Sequence, residues 1–243
     1  MFEAAEVKNR IVSWIRDFFK TNGNDNTPAV IGISGGKDSS VVTALCVEAL
    51  GKERVIGVLM PRGEQHDIDV SIALCKVLGI KSFTVNIGGA VNNLFKEFES
   101  AGGALNSVAT INTPARIRMS ALYMVANAMG GRVSNNSNLS ETYVGYDTKF
   151  GDSAGDFSPL SKLTVTEVKA VGYALGLDSK FIEKVPEDGL CGKTDEENMG
   201  FTYDILDFYI RNGHHDDLKA IQKIESMHAA SRHKFNPMPA FEL

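Results

Sequence analysis

The residues at 34–40 read Ser-Gly-Gly-Lys-Asp-Ser-Ser, and they follow a short β-branched run at 29–33 and precede an apolar helical pattern. A strand-to-helix turn of this kind gathers backbone N–H groups and the positive end of a helix dipole at one point. Two glycines let the backbone approach a ligand closely. Ser34, Ser39 and Ser40 add hydroxyl donors and Lys37 adds charge, so the chemistry implied is anion binding, most simply of phosphate. Asp38 inside such a cradle repels phosphate unless a cation lies between them, which points to Mg²⁺ bridging carboxylate and phosphate oxygens. A second carboxylate for that ion is available at Glu141, in Asn138-Leu139-Ser140-Glu141.

Competing motif readings weaken on spacing. A Walker A loop needs Gly at 31 and Ser or Thr at 38, where this chain has Ile31 and Asp38. Gly32-Ile33-Ser34-Gly35-Gly36 matches the nucleophile elbow of hydrolases, but that elbow follows several strands and here only one helix precedes it. A glycine turn that binds nothing does not call for so many polar residues after a buried strand.

The elements that must position these groups alternate. Val7, Ile11, Trp14, Ile15 and Phe18 space as one face of an N-terminal helix. Strands are predicted at 29–33, 54–60 and 81–87 with a weak fourth at 132–134, and helices at 39–50, 67–78, 90–100 and 114–129. This βαβαβ rhythm predicts an α/β fold, a doubly wound parallel sheet of about five strands with helices on both faces. Residues 135–159 are rich in Gly, Asp, Ser and Asn without periodicity, a length of irregular chain that is more often functional than idle. The last third reads as helical, with a capping-box pattern at 194–197 opening a helix to about Arg211, and an extended tail from Arg232.

Composition sets outer bounds. The 243 residues are 43% hydrophobic and 23% charged, with 23 Gly and 7 Pro, which is globular. A net charge of −5 argues against nucleic-acid binding. No apolar run approaches the ~20 residues of a membrane span, and no secretory leader is visible, so a cytoplasmic protein is expected. The three cysteines, Cys46, Cys75 and Cys191, form neither a disulfide framework nor a zinc pattern, and the first two read as core thiols.

The Ser-Gly-Gly-x-Asp-Ser loop resembles the pyrophosphate loop of N-type ATP pyrophosphatases, and the adenine nucleotide alpha hydrolase-like fold goes with it. Further along, the chain is similar to the ammonia-dependent NAD synthetases. Asn112-Thr113-Pro114-Ala115-Arg116-Ile117-Arg118-Met119 resembles that family's N-x-x-A-R-x-R-M segment, and residues 138–156 resemble its N-x-S-E…G-Y/F-x-T-K-x-G-D…D signature. Residues 194–203 and the His233-Lys234…Pro237, Pro239 tail match two more of its segments, in order.

The resemblance implies a single synthetase domain over 1–243, without a glutaminase domain, and a two-step reaction: adenylation of deamido-NAD by ATP, then attack by ammonia to give NAD, AMP and pyrophosphate. It implies that ATP is held by Gly32, Ile33, Ser34, Gly35, Gly36, Lys37, Asp38 and Ser39, with Met60. Mg²⁺ falls to Asp38 and Glu141, and deamido-NAD to Arg116, Lys149, Asp156, His233 and Lys234. Asp152 is implied beside the ammonia, so that Lys37, Asp38 and Asp152 are the catalytic set, and the region 183–202 corresponds to a lid. A homodimer is implied as well, with no nucleic-acid or membrane partner. The chain departs from the family pattern at Asn136, Val165 and Glu187, with Lys162 near the missing lysine. A pyrophosphatase adenylating a tRNA base or purine nucleotide, and an idle nucleotide-binding module, are the rival readings. The acidic charge opposes the first, and the intact Asp38 and Glu141 oppose the second.

Overall fold

Buried β-branched residues and glycine punctuation set out the sheet. The computed structural model describes residues 2–63, 68–184 and 194–242. Strand β1 (Ala29–Gly32) lies between β2 (Val55–Leu59) and β4 (Arg132–Val133), and β3 (Lys81–Thr84) flanks β2, giving the order β3-β2-β1-β4 with all pairs parallel. Four strands are present among the described residues. Where a fifth would pair with β4 there is a single parallel bridge, Ser134 to Phe157.

Side chains alternate across this sheet, as strand geometry requires. Ala29, Ile31, Val55 and Leu59 face the helices α1 (Ala4–Asn22), α2 (Lys37–Leu50) and α7 (Val165–Ala174), with Leu74 and Cys75 of α3 (Ile68–Leu78) in the same core. Val30, Ile56, Val58 and Val133 face Leu122, Val125 and Ala126 of α5 (Ser107–Met129), which lies beside α4 (Gly88–Ser100). The sheet is therefore covered on both faces, as expected of parallel strands. A third core joins α6 (Leu139–Val144), α9 (Asp195–Met199), α10 (Tyr203–Asn212) and α11 (Leu218–Ser231). The short α8 (Ser179–Ile182) buries Phe181 and Ile182 against α2. Cys46 and Cys75 are buried free thiols, while Cys191 lies outside the described residues.

Several elements differ from the sequence expectation. Helix α1 turns Val12, Ile15 and Phe19 inward and leaves Trp14 44% exposed, so the buried stripe runs to one side of the tryptophan. Helix α5 starts at Ser107, because Asn106 caps it by accepting from the Ala109 N–H; Pro114 sits inside the helix and is buried. The stretch 135–159 contains α6, whose six residues are too few to show a period. The capping box at Thr194 is present, but Gly200, with a left-handed backbone, ends α9, and Thr202 caps the separate α10. The tail begins with a single 3₁₀ turn, Arg232–Lys234. No helix among the described residues is long and apolar enough to cross a membrane.

Candidate active site

In the order β3-β2-β1-β4, the chain leaves β1 toward β2 on one side and meets β4 on the other. In open parallel sheets such a switch point opens a crevice at the carboxyl ends of the strands. The 34–40 loop follows β1 there, and 134–138 follows β4.

The loop is built by its own hydroxyls. Ser39 Oγ accepts from the Ser34 N–H at 3.3 Å and donates to the Gly36 carbonyl at 3.1 Å, and Ser40 Oγ donates to the same carbonyl at 2.8 Å. Gly35 has φ +76°, and a Cβ there would meet Ser71 Oγ at 3.0 Å and Ser71 N at 3.3 Å, so both conformation and space require glycine. Gly36 opens α2 with no side-chain cap. The first-turn N–H groups are thus offered to whatever occupies the loop. Gly32 faces Met60, whose methyl would lie 3.2 Å from an added Cβ, so that residue lines the floor beside β1.

The carboxylates and the lysine converge behind this loop. Lys37, 3% exposed, places Nζ 2.9 Å from Asp38 Oδ2 and 3.6 Å from Glu141 Oε1, and 5.5 Å from the centre of the Tyr203 ring. Burial alone would discharge this ammonium. The charges of Asp38 and Glu141 prevail and hold its pKa above the ordinary lysine value. Glu141 moves the other way from a free carboxylate: burial first, then the neighbouring Asp38 charge, raise it, and Lys37 only partly offsets them. Two acids facing one buried ammonium leave room for further positive charge.

Asn138 links the two halves. Its Nδ2 donates to Asp38 Oδ1 at 3.0 Å and its Oδ1 caps α6 by accepting from the Glu141 N–H at 3.0 Å. Asn136 Nδ2 donates to the Gly32 carbonyl at 3.0 Å, a second tie from the β4 loop to β1. Helix α6 is fixed from behind by the buried Asp207, which accepts from Ser140 Oγ at 2.5 Å and from Thr166 N–H at 2.8 Å. Val165 is buried and only its backbone N–H is used, donating to Ser140 Oγ; Lys162 is exposed, with its carbonyl accepting from Arg211. Glu187 and residues 185–193 of the expected lid lie outside the described residues.

The residues expected at the second substrate form a neighbouring patch. Arg116 Nε donates to the Lys149 carbonyl at 3.1 Å, Lys149 Nζ to the His233 carbonyl at 2.8 Å, and Lys234 Nζ to the carbonyls of Gly145 and Asp147 at 2.7 and 2.8 Å. The tail is therefore docked on the 145–149 loop. Asp152 Oδ1 accepts from the Thr148 N–H at 3.0 Å. Desolvation raises its pKa, and the hydrogen bond from the Thr148 N–H offsets part of that rise, with the charge of Lys234 adding to the offset. Asp156 accepts from Tyr123 OH at 3.0 Å and from the Val133 N–H at 2.7 Å, closing the end of β4 with its solvent side open.

Four residues near these groups were not singled out from sequence: Asn138, Tyr203, Arg118 and Asp147. All four stand inside the quoted segments; for Asn138 and Tyr203 the available signals are a cap residue before Ser-Glu and an aromatic after Gly-Phe-Thr. Arg118 donates to the Met60 carbonyl at 3.1 Å, and burial, with Arg62 nearby, lowers its pKa.

The matching family model is NAD synthase, over residues 7–238.

The chain belongs to the NAD synthase family. Its similarity to individual family members runs nearly end to end. It is 40% identical to an NH(3)-dependent NAD(+) synthetase of Methanocaldococcus jannaschii, with 85% of this chain and 80% of that protein covered. Among solved structures it is similar to the NMN synthetase of Francisella tularensis, with a TM-score of 0.91, 30% identity and full coverage of both chains. It is also similar to the NH3-dependent NAD synthetase of Campylobacter jejuni, with a TM-score of 0.80, 26% identity and full coverage of both chains. In this NAD synthase family member the cluster of Lys37, Asp38 and Glu141 sits at the switch point that its topology creates.

The carboxyl groups also set a pH dependence. Asp147 is pushed up to about 7, by burial and then by the charge of Asp152, and Glu141 is raised in the same direction. Between pH ~4 and ~7 the folded chain keeps protons that the unfolded chain has lost, so its stability falls as pH rises. Thermal melts of the ligand-free protein across that range are expected to show a declining midpoint, and a smaller decline in Asp147→Asn.

Proposed function

We propose that this chain catalyses the ATP-dependent amidation of a nicotinate carboxylate by free ammonia, with deamido-NAD as acceptor and NAD, AMP and pyrophosphate as products. The observation that carries the reading is the meeting of Lys37, Asp38 and Glu141 at the phosphate loop of a NAD synthase family member.

A carboxylate is a poor electrophile, so it is first activated: its oxygen attacks the α-phosphorus of ATP, the α–β bridge breaks, and pyrophosphate leaves with the electron pair. The N–H groups at the start of α2, the serine hydroxyls and Lys37 receive the phosphates. Asp38 and Glu141 would hold Mg²⁺, since two hard oxygen ligands completed by water and phosphate are how that ion is usually bound; when bound, it neutralises charge on the departing pyrophosphate. Among the described residues no three His, Cys, Asp or Glu side chains converge as a metal centre, so Asp38 and Glu141 would be the protein's own ligands, with water and substrate oxygens left to supply the rest. In the second step Asp152 takes a proton from ammonium, and the nitrogen lone pair attacks the acyl carbon. AMP leaves with the electron pair, and a second N–H proton is lost to solvent.

Arg116, Lys149, His233 and Lys234 gather positive charge where the acceptor's phosphates would lie. The docked tail supports their shared role. Lys234→Ala, or truncation from His233, is expected to raise KM for the acceptor while leaving KM for ATP and most of kcat in place. Paired saturation curves check this, and unchanged acceptor saturation in the truncated protein removes the tail from the site. Exposed Leu94 and Phe98 on α4, with Val108 and Ile111 on the adjacent α5, support a homodimer through that face.

The TM-score of 0.91 to an NMN synthetase favours a second acceptor, nicotinate mononucleotide, with the same chemistry at the carboxylate. The deciding experiment mixes ATP, Mg²⁺ and ammonium with each acceptor in turn and compares kcat/KM. NAD formation favoured over NMN formation supports the first reading, the reverse supports the second, and no AMP release with either acceptor overturns both.

A further inference from the structure

The hydrogen bonds of the 145–156 loop leave one acidic group over. Asp152 receives the Thr148 N–H, and Asp156 receives Tyr123 OH and the Val133 N–H. Lys234 Nζ is bound to the backbone carbonyl of Asp147 and offsets its carboxylate only through space. Asp147 is half-buried, but both of its carboxylate oxygens are out of solvent and neither has a hydrogen-bond partner. Among the described residues no other buried side-chain oxygen or nitrogen is left in that state. A buried carboxylate without a donor is costly and is rarely kept without a reason.

Its surroundings say what is missing. Asp147 lines a cleft of about 340 Å³ together with Asn135, Ser137, Thr142 and Ser153. Two of the nearby hydroxyl donors are turned elsewhere: Ser137 Oγ donates to the Asp152 carbonyl at 3.2 Å and Ser153 Oγ to the Thr148 carbonyl at 2.8 Å. Asn135 Nδ2 likewise donates to the Asp152 carbonyl at 3.0 Å. Asp147 and Asp152 are close enough for the charge of one to act on the other. The absent partner must be small, because the oxygens are enclosed. It must carry positive charge, because two carboxylates share one lysine. It must also bring its own N–H or O–H donors.

We infer that Asp147 is an ammonium-binding residue, which holds the cation at the wall of this cleft, on the loop that also carries Asp152, until its proton is removed. The inference rests on the reading of the site as one that amidates a carboxylate with ammonia, and it adds a carboxylate that the motif resemblance does not assign. Asp147 contributes binding, and Asp152 remains the proton acceptor.

The test is Asp147→Asn. The amide has nearly the same shape and relieves an unpartnered charge, so the variant is expected to fold with a melting midpoint no lower than that of the parent at neutral pH. Its KM for ammonium chloride should rise about tenfold or more, the worth of one hydrogen bond to a charged group. KM for ATP, KM for the acceptor and the rate of pyrophosphate release should stay within about twofold. A purely structural role would move all of these together. Ammonium saturation unchanged in the folded variant overturns the inference, as does failure of the variant to fold, which would make the carboxylate a part of the framework. If the parent protein itself forms neither NAD nor NMN, the underlying reading fails instead, so the two failures are told apart.

Discussion

Asp38→Asn and Glu141→Gln are each expected to lower turnover by ~10²-fold or more, the usual cost of removing one electrostatic contact at a developing charge, while the chain stays folded. The geometry gives reasons for both halves of that expectation. The two carboxylates lie on either side of Lys37 Nζ, at 2.9 and 3.6 Å, so either substitution leaves the ammonium one charged partner. Asn138 Nδ2 can still donate to the remaining oxygen of Asn at position 38, so the tie between the loop and α6 survives. Changing Glu141 to Gln removes a carboxylate whose charge is disfavoured by burial and by Asp38, and Lys37 keeps Asp38 as its charged partner, so the fold should hold. On the proposed reading, each variant would lose half of the negative charge offered to a divalent cation on the leaving pyrophosphate. The measurement is product formation as a function of Mg²⁺, alongside a thermal melt. Near-normal rates at limiting Mg²⁺ in either variant would remove that carboxylate from the metal site.

Asp152→Asn should separate the two chemical steps. The amide oxygen at position 152 can still accept from the Thr148 N–H, so the loop that carries Lys149 keeps its shape. An amide cannot take a proton from ammonium. Pyrophosphate release from ATP and acceptor should therefore continue within a few fold of the parent rate, while amide formation falls by about 10²-fold, the typical scale for loss of a positioned base. The adenylate should accumulate or hydrolyse slowly, visible as AMP formed without NAD. Parallel loss of both steps would show that Asp152 serves the framework or the binding of the acceptor.

The phosphate loop was legible in the sequence because its information is local. A β-branched run, a pair of glycines and a polar cluster before an apolar helix determine β1, the turn and the start of α2 within about a dozen residues. Gly35 is the clearest case, since its left-handed backbone and the nearness of Ser71 both exclude a side chain. The need for a second carboxylate beside Asp38, and Glu141 as a candidate, were legible in the residues, but the spacing does not show that the two meet, because this depends on β4 lying beside β1, and a two-residue strand leaves almost no periodic trace. The misplaced elements share a cause. Trp14 falls on the apolar face that helical spacing predicts, yet the stripe that packs is set by Val12, Ile15 and Phe19. Pro114 reads in sequence as a first helical residue, but the Asn106 cap starts the helix earlier and tertiary packing accepts the missing N–H. Gly200 separated two helices that share a hydrophobic core and so look continuous in pattern. Asp147 had no sequence signal: an aspartate in a Gly- and Ser-rich loop looks like a turn residue, and only the absence of donors around it marks it out.

Asn138 spans a hundred residues of chain to reach Asp38, and its other face starts the helix that bears Glu141. The N-terminal half can form its loop early in synthesis, but the second carboxylate arrives only after β4 has docked and α6 has been capped. An unfinished or partly opened chain therefore carries an incomplete nucleotide site, and by this geometry it should be unable to waste ATP or release a reactive adenylate into water. The amides of Asn138 and Asn136, joining the two segments along with the β1–β4 pairing, should make the onset of nucleotide turnover a sign that folding is complete.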